Sequence, residues 1–309
     1  CYDFYDMVVQ VALAAAGEVV PEYHTEKDLI QKYWKKHIKN NFSPPTFLMN
    51  QASPLTLADS KKYQELVAGG NLQSVISDFC SDAGLFCNVG HFLGDAFFYH
   101  QFSKEKYDVL EHETLEVPFP GIFFRERQIK EGTIMMMGDI QDMTLKRYFL
   151  PRSLASKLPF SSSKMGEMKK MWNKVFDEKT LDKMIKYSTY ECQRKAARDE
   201  TKLCANSIED IIDFSKSLLG PNITVRTTEN GNGAMENILL GHIKAINGGN
   251  VSRSLTCHAY LFPYMMYYCH SVPAVRIYDV EILDIKNKTK INQAIIFPKS
   301  NLFPKSSPL

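Results

Sequence analysis

The succession of periodicities along this chain predicts an α+β fold, with a small helical amino-terminal segment followed by a larger unit in which helices come first and an antiparallel sheet second. Three observations carry the prediction. Up to Leu219 apolar residues recur at three- and four-residue intervals. From Asn222 onward they fall into short blocks rich in β-branched and aromatic residues. Gly and Pro pairs mark the boundaries between these blocks, and helices followed by a run of strands is the pattern of an α+β protein. With 309 residues and 44% hydrophobic content the chain can bury a substantial core in one or two domains.

The elements follow in order. Met7 to Gly17 resembles the apolar part and cleavage region of a signal peptide, although it follows Asp3 and Asp6 instead of a basic start, so residues 1–20 are assigned as a leader remnant. Thr25 and Asp28 form a capping box ahead of Leu29, Ile30, Tyr33, Trp34 and Ile38, which predicts a helix from about Glu26 to Lys39 that ends before Ser43-Pro44-Pro45. Ser53-Pro54 starts a second helix through Tyr63 and Leu66, stopped by Gly69-Gly70, and Cys80 with Cys87 closes a helical segment spanning 21–90. Residues 91–117 have no clear period and read as a linker.

In the larger unit, 118–296, Met165, Met168, Met171, Trp172, Val175 and Phe176 recur at helical spacing, a stripe that is core packing and not a cofactor site. Leu181, Met184, Ile185 and Ser188 continue a second helix. Ser207 and Asp210 cap a third, which carries Ile208, Ile211, Ile212 and Leu219 and ends at Gly220-Pro221. Strands are predicted at Thr224–Thr228, Ile238–Ile246, the aromatic run around Pro263, Val275–Ile285 and Ile291–Ile296. Residues 297–309 form a divergent tail.

Composition excludes several functions. A formal charge of +2 from 37 basic and 35 acidic residues gives no general attraction to nucleic acid or to anionic membranes. No run approaches the roughly eighteen apolar residues of a membrane span. Between Lys164 and Lys202, eleven Lys/Arg stand against seven Asp/Glu, a local excess that suits an acidic polysaccharide such as pectate or simply a solvated helix face. There is no Gly-rich phosphate loop, nucleophile elbow or HExxH. His24, His37, His91, His100, His112 and His242 are scattered and read as surface or satisfied core residues.

Seven cysteines fall as Cys1 and three local pairs: Cys80 with Cys87, Cys192 with Cys204, and Cys257 with Cys269. None has CxxC spacing, so disulfides in an oxidising compartment fit better than zinc or a redox motif. Sequons at Asn41, Asn222, Asn250 and Asn287 agree with secretion and predict glycosylation.

The most chemically loaded stretch is CHAYLFPYMMYYCH, in which Cys257-His258 and Cys269-His270 are separated by ten residues. Both cysteines lie six residues from Pro263, so folding the run back at that proline sets them opposite each other. Alternation along the strands then puts both cysteines on one face and both histidines on the other. A cross-strand disulfide and a two-imidazole site follow from that geometry. Core cysteines and hydrogen-bonded histidines in an aromatic hairpin are the competing reading.

Several stretches carry a family resemblance. CHAYLFPYMMYYCHSVPAVRIYDVEILD resembles the first half of the Cys-His signature of the plant BURP domain, as do FFRERQIKEGTIMMMGDI, FLPRSLASKLPFSSSKM, YECQRKAARDETKLCANSIEDIIDFSKSLLG and VRTTENGNG upstream. Leu29 to Tyr63 and Phe79 to Cys87 are similar to the amino-terminal segment of the polygalacturonase non-catalytic beta subunit group. Two features depart from the pattern. The two further Cys-His dipeptides of a complete domain are absent, and so are the Phe-x-x-Tyr repeats that the beta subunits carry, so 118–296 is read as an incomplete BURP domain.

The resemblance implies a secreted cell-wall protein, non-catalytic and needing no cofactor, that binds or localises polygalacturonase or another pectin-active enzyme, with pectin a further partner. Hydrolysis by inversion requires clustered carboxylates. The matching NTD, DD and GHG motifs are absent, and Asp139 with Asp142 reads as a solvated loop. The alternative that the resemblance implies is a copper-dependent cyclase that crosslinks aromatic side chains of a peptide, with His258 and His270 as copper ligands and the missing dipeptides impairing it.

Overall fold

The computed structural model describes residues 25–40, 42–87, 126, 129–137, 146–227, 236–273 and 275–296. The expectations for the leader, Asn41, the linker at 91–117, the tail, Cys1, Asp139 and Asp142, and His24, His91, His100 and His112 lie outside them.

Helix α1 spans Glu26–His37 and opens with the capping box: the Thr25 hydroxyl accepts from the Asp28 N–H at 3.2 Å, and the Asp28 carboxylate accepts from the Thr25 N–H at 3.1 Å. Helix α2 is the single turn Thr46–Met49, and α3 spans Leu57–Ala68 with Gly69 as its cap. The start of α3 corrects the sequence reading. Thr56, not Ser53, is the N-cap, because its hydroxyl accepts from the Asp59 N–H at 3.0 Å, whereas Ser53 spends its hydroxyl on the Leu55 N–H. A 3-10 turn leads into α4, Ile76–Asp82.

Downstream come α5 (Arg152–Ala155), α6 (Met165–Trp172), α7 (Glu178–Gln193, capped by Asp177) and α8 (Ile208–Leu219). The Ser207 hydroxyl caps α8 by accepting from the Asp210 N–H at 3.1 Å, and Gly220 ends it with φ 83°, a conformation that favours glycine. The strands are β1 (Ile134–Met137), β2 (Thr201–Ala205), β3 (Glu236–Ala245), β4 (Thr256–Tyr260), β5 (Met266–Ser271), β6 (Tyr278–Leu283) and β7 (Lys290–Ile296). All pair antiparallel, but in two sheets instead of one: β1-β3-β6-β7 and β2-β5-β4. Thr224–Thr227 forms no strand. The run pairs with no strand among the described residues; Ile223 is buried, and Arg226 reaches Asp279 at 3.4 Å.

The α+β class therefore holds, with helices and antiparallel sheets in one structure. The amino-terminal helices share cores with the later ones. Tyr63, Phe79 and Phe86 pack in one buried cluster with Met168, Trp172, Met184, Phe262 and Tyr264. Ile30, Trp34 and Leu48 share a second with Ile208, Ile212 and Met265. The predicted Met stripe is core in part: Met168 and Trp172 are buried, while Met165 and Met171 are half-buried at its margin. A third cluster, built on Ile238, Leu240, Val280 and Ile282, fills the four-stranded sheet.

Candidate functional site

The β4–β5 hairpin carries the site, and its turn is unusual for a turn because it is buried. Leu261, Phe262, Tyr264 and Met266 are each 0–1% exposed. A buried turn has to satisfy its backbone groups within the protein. The Pro263 carbonyl accepts from the Phe86 N–H at 2.8 Å, and the Met265 N–H donates to the Tyr148 carbonyl at 2.9 Å. The Leu261 carbonyl accepts from the Ser188 hydroxyl at 3.1 Å and the Tyr260 carbonyl from Arg147 Nη2 at 2.9 Å. Three chain segments, at Phe86, Arg147–Tyr148 and Ser188, thus hold the hairpin tip, and through it the register of the strands.

That register pairs Cys257 with Cys269, flanked by Thr256 with His270 and by His258 with Tyr268. Cys257 and Cys269 form a disulfide with Cα atoms 4.0 Å apart. On the opposite face His258 and His270 are diagonal neighbours, their ring centroids 5.5 Å apart. The other two local cysteine pairs, Cys80–Cys87 and Cys192–Cys204, are also disulfides, the second tying α7 to β2.

The histidines sit at one end of an aromatic stripe. Tyr187, Tyr260, Tyr268 and His270 follow one another at centroid distances of 5.5, 5.5 and 5.3 Å. Beneath it lies a carboxylate that the sequence reading did not single out. Glu200, with its side chain only 6% exposed, accepts from Arg194 Nη1 at 3.0 Å, Arg194 Nη2 at 3.2 Å, the Tyr268 hydroxyl at 2.6 Å and the Ala197 N–H at 2.8 Å. Its Oε1 also lies 3.3 Å from His270 Nδ1. Burial opposes the charge, but these donors, Arg194 foremost, bring the Glu200 carboxyl down to about 2. Burial, aided by Glu200, pushes the Tyr268 phenol up.

Both imidazoles are held below the ordinary histidine range. For His270 burial dominates and Glu200 works against it. His258 is exposed at its outer edge, yet packed protein around the rest of its ring, followed by His270 itself, disfavours its charged form. The pair is therefore neutral at neutral pH, with lone pairs available to a proton or a metal ion. Two imidazoles are donors that copper accepts, so the pair fits two positions of such a site. Among the described residues no group of three or more His, Cys, Asp or Glu side chains is arranged to hold a metal ion.

The remaining candidates are dispersed. Asn222, Asn250 and Asn287 are all exposed. The Asn287 side-chain oxygen accepts from the Thr289 N–H at 2.9 Å and the Thr289 hydroxyl at 2.6 Å. The Asn250 amide donates to the Asn247 carbonyl at 3.1 Å. The basic stretch is partly spent internally: Lys169 and Lys186 bracket Asp182, and Lys202 donates to the Glu191 carbonyl at 2.7 Å. His37 stacks on Tyr33 at 4.2 Å and His242 pairs with Glu131 at 3.0 Å. No helix among the described residues is long and apolar enough to cross a membrane.

Comparison with known proteins places this geometry in a family. The BURP domain family model matches residues 122–297. The chain is 53% identical over 176 residues to the polygalacturonase-1 non-catalytic subunit beta of Solanum lycopersicum, an alignment that covers 57% of this chain and 28% of the tomato protein. It is 49% identical over 176 residues to the polygalacturonase 1 beta-like protein 1 of Arabidopsis thaliana, again 57% and 28%. The chain thus spans little more than a quarter of the length of these relatives. It is also 38% identical over 271 residues to the BURP domain-containing protein 16 of Oryza sativa subsp. japonica, covering 85% of this chain and 76% of that one. With a family model over more than half its length and a relative aligned along most of it, the chain belongs to the BURP domain family.

Proposed function

We propose that this chain is a secreted, non-catalytic cell-wall protein that binds or positions a pectin-active enzyme, polygalacturonase first, with pectin as a further contact. The observation that carries the reading is 53% identity over the BURP region to a polygalacturonase non-catalytic subunit. Two features of the structure support it. Three disulfides suit an oxidising compartment, and three exposed sequons are accessible to glycosylation. The test is to express the chain in plant tissue, pull it down and assay the material. Co-purification of a polygalacturonase or of pectin, with no reducing ends released from polygalacturonate by the isolated chain, is expected. Release of reducing ends by the isolated chain refutes the non-catalytic reading, and failure to retain any wall enzyme or pectin refutes the rest.

A second reading is favoured by one specific observation, the same-face pair His258 and His270. If this pair holds copper, the metal supplies one-electron oxidation of an aromatic ring on a bound peptide, and the two imidazoles of this chain would be its ligands. A Cu(II) titration of the wild type, His258→Ala and His270→Ala decides it, with weakened binding expected in both variants. Equal binding by all three proteins removes the site.

A further inference from the structure

We propose that Glu200 is the positioning residue of the two-imidazole site: it fixes His270 as the tautomer protonated at Nδ1 and leaves Nε2 as the nitrogen that offers a lone pair. This inference rests on the second reading only for its consequence in metal binding; the tautomer itself is a property of the metal-free protein.

Glu200 accepts each of its hydrogen bonds from Arg194, the Tyr268 hydroxyl and the Ala197 N–H, so its carboxylate meets its neighbours as an acceptor. A carboxylate oxygen that accepts from its other neighbours and lies 3.3 Å from His270 Nδ1 favours the proton on that nitrogen. The second element is rigidity. Glu200 is locked by a fork from Arg194, by the Tyr268 hydroxyl and by the Ala197 N–H, so its Oε1 cannot follow the ring if His270 rotates. The backbone contributes as well. Asp199, immediately before Glu200, adopts φ 63°, a left-handed conformation that turns the chain sharply from the loop after α7 into β2. Lys202 on β2 faces His270 across the ladder. The third element is the imidazole itself. In a neutral imidazole one nitrogen carries the proton and the other is bare, so with Nδ1 turned to Glu200 the bare one is Nε2. A carboxylate that takes the far N–H of a ligating imidazole is the usual outer partner of a metal-binding histidine, because it orients the ring and raises its basicity.

The test uses the full chain labelled with 15N-histidine, observed by long-range proton–nitrogen correlation at neutral pH, with His270→Ala used for assignment. The expected wild-type pattern is a protonated Nδ1 and an unprotonated Nε2 at His270. Glu200→Ala is expected to lose this preference, and Glu200→Gln, which keeps an accepting oxygen, to retain most of it. Tyr268→Phe removes a different partner of Glu200 and is expected to leave the pattern intact. Zn(II) added alone then serves as a diamagnetic probe. If the site takes the metal, Nε2 of His270 shifts and Glu200→Ala weakens binding by about 10- to 100-fold. A wild-type His270 protonated at Nε2 overturns the proposal whether or not any variant folds. A correct tautomer with no Zn(II) or Cu(II) binding upholds the role of Glu200 and refutes the metal reading instead.

Discussion

Removing the hairpin disulfide is the perturbation with the most to tell about how the histidine pair is held. In Cys257→Ala/Cys269→Ala the bridge between residues 12 apart is lost. The chain-entropy relation for a loop of that length gives about 3 kcal/mol of stabilisation. Cys269 is fully buried, so its missing sulfur adds roughly 1 kcal/mol for lost packing. The expected cost is about 3–4 kcal/mol, to be measured as a lowered urea midpoint at unchanged slope. The same relation assigns about 2 kcal/mol to Cys80–Cys87, whose separation is seven, so the hairpin variant should be the less stable of the two. The register is expected to survive, because the buried turn is bonded from Phe86, Tyr148, Ser188 and Arg147, and β5 is also paired to β2. Nuclear Overhauser contacts between Thr256 and His270 should therefore persist in the folded variant. A cost below about 1 kcal/mol would refute the entropic account, and loss of the Thr256–His270 contact would refute the claim that the buried turn sets the register.

Three further outcomes follow from single residues. The Tyr264 hydroxyl is buried with no hydrogen-bond partner among the described residues, so Tyr264→Phe is expected to match or exceed wild-type stability by about 1 kcal/mol in denaturant unfolding; a loss of that size contradicts it. A Cβ on Gly241 would stand 2.8 Å from Leu283 Cδ1 on the neighbouring strand β6, so Gly241→Ala should cost about 1–3 kcal/mol, and an unchanged melting midpoint counts against the tight β3–β6 packing. Burial, and then the neighbouring Glu209, raise the Glu26 carboxyl above its ordinary value, while the Ser60 hydroxyl opposes them. A raised carboxyl stabilises the fold below the unfolded-state value near 4.5 and loses that contribution as pH rises through the folded-state value. Glu26→Gln can still accept from Ser60, so it should gain stability relative to wild type between pH 4.5 and 7; a relative loss over that interval refutes the assignment.

Much of this was legible from local chemistry. The Thr25–Asp28 box and the Ser207–Asp210 cap declare their helices because capping needs only residues three apart. The opposition of Cys257 and Cys269 follows from their equal distance to Pro263. What local pattern does not carry is partnership at long range. Ile134–Met137 is three methionines after an isoleucine, and Thr201–Ala205 includes Lys202 and Cys204, neither of them a strong strand former; each becomes a strand because β3 or β5 offers it an edge. Glu200 was hidden for the same reason. Its meaning comes from Tyr268 and His270, which lie about seventy residues away and reach it only when β2 joins β5. The one local trace was the charged loop between Arg194 and Glu200 just ahead of a cysteine.

The match to the family begins at residue 122, but the physical unit that holds the hairpin begins earlier. Phe86, inside the Cys80–Cys87 loop, donates its N–H to Pro263, and its ring lies buried in the same cluster as Phe262 and Tyr264. On the other side of the turn, Met265 packs with Ile30 and Trp34 of α1. The two amino-terminal contacts reach Pro263 and Met265, two residues apart in one turn, from two different cores. Withdrawing that segment would strip the turn of a backbone partner and expose Phe262, Tyr264 and Met265 together, at a cost of several kcal/mol in lost apolar burial. The amino-terminal helices are thus part of the frame that sets the positions of His258 and His270. A partner that gripped those helices would act on the same framework as a ligand bound at the histidines, so the proposed binding role and the proposed histidine site would be coupled through this turn.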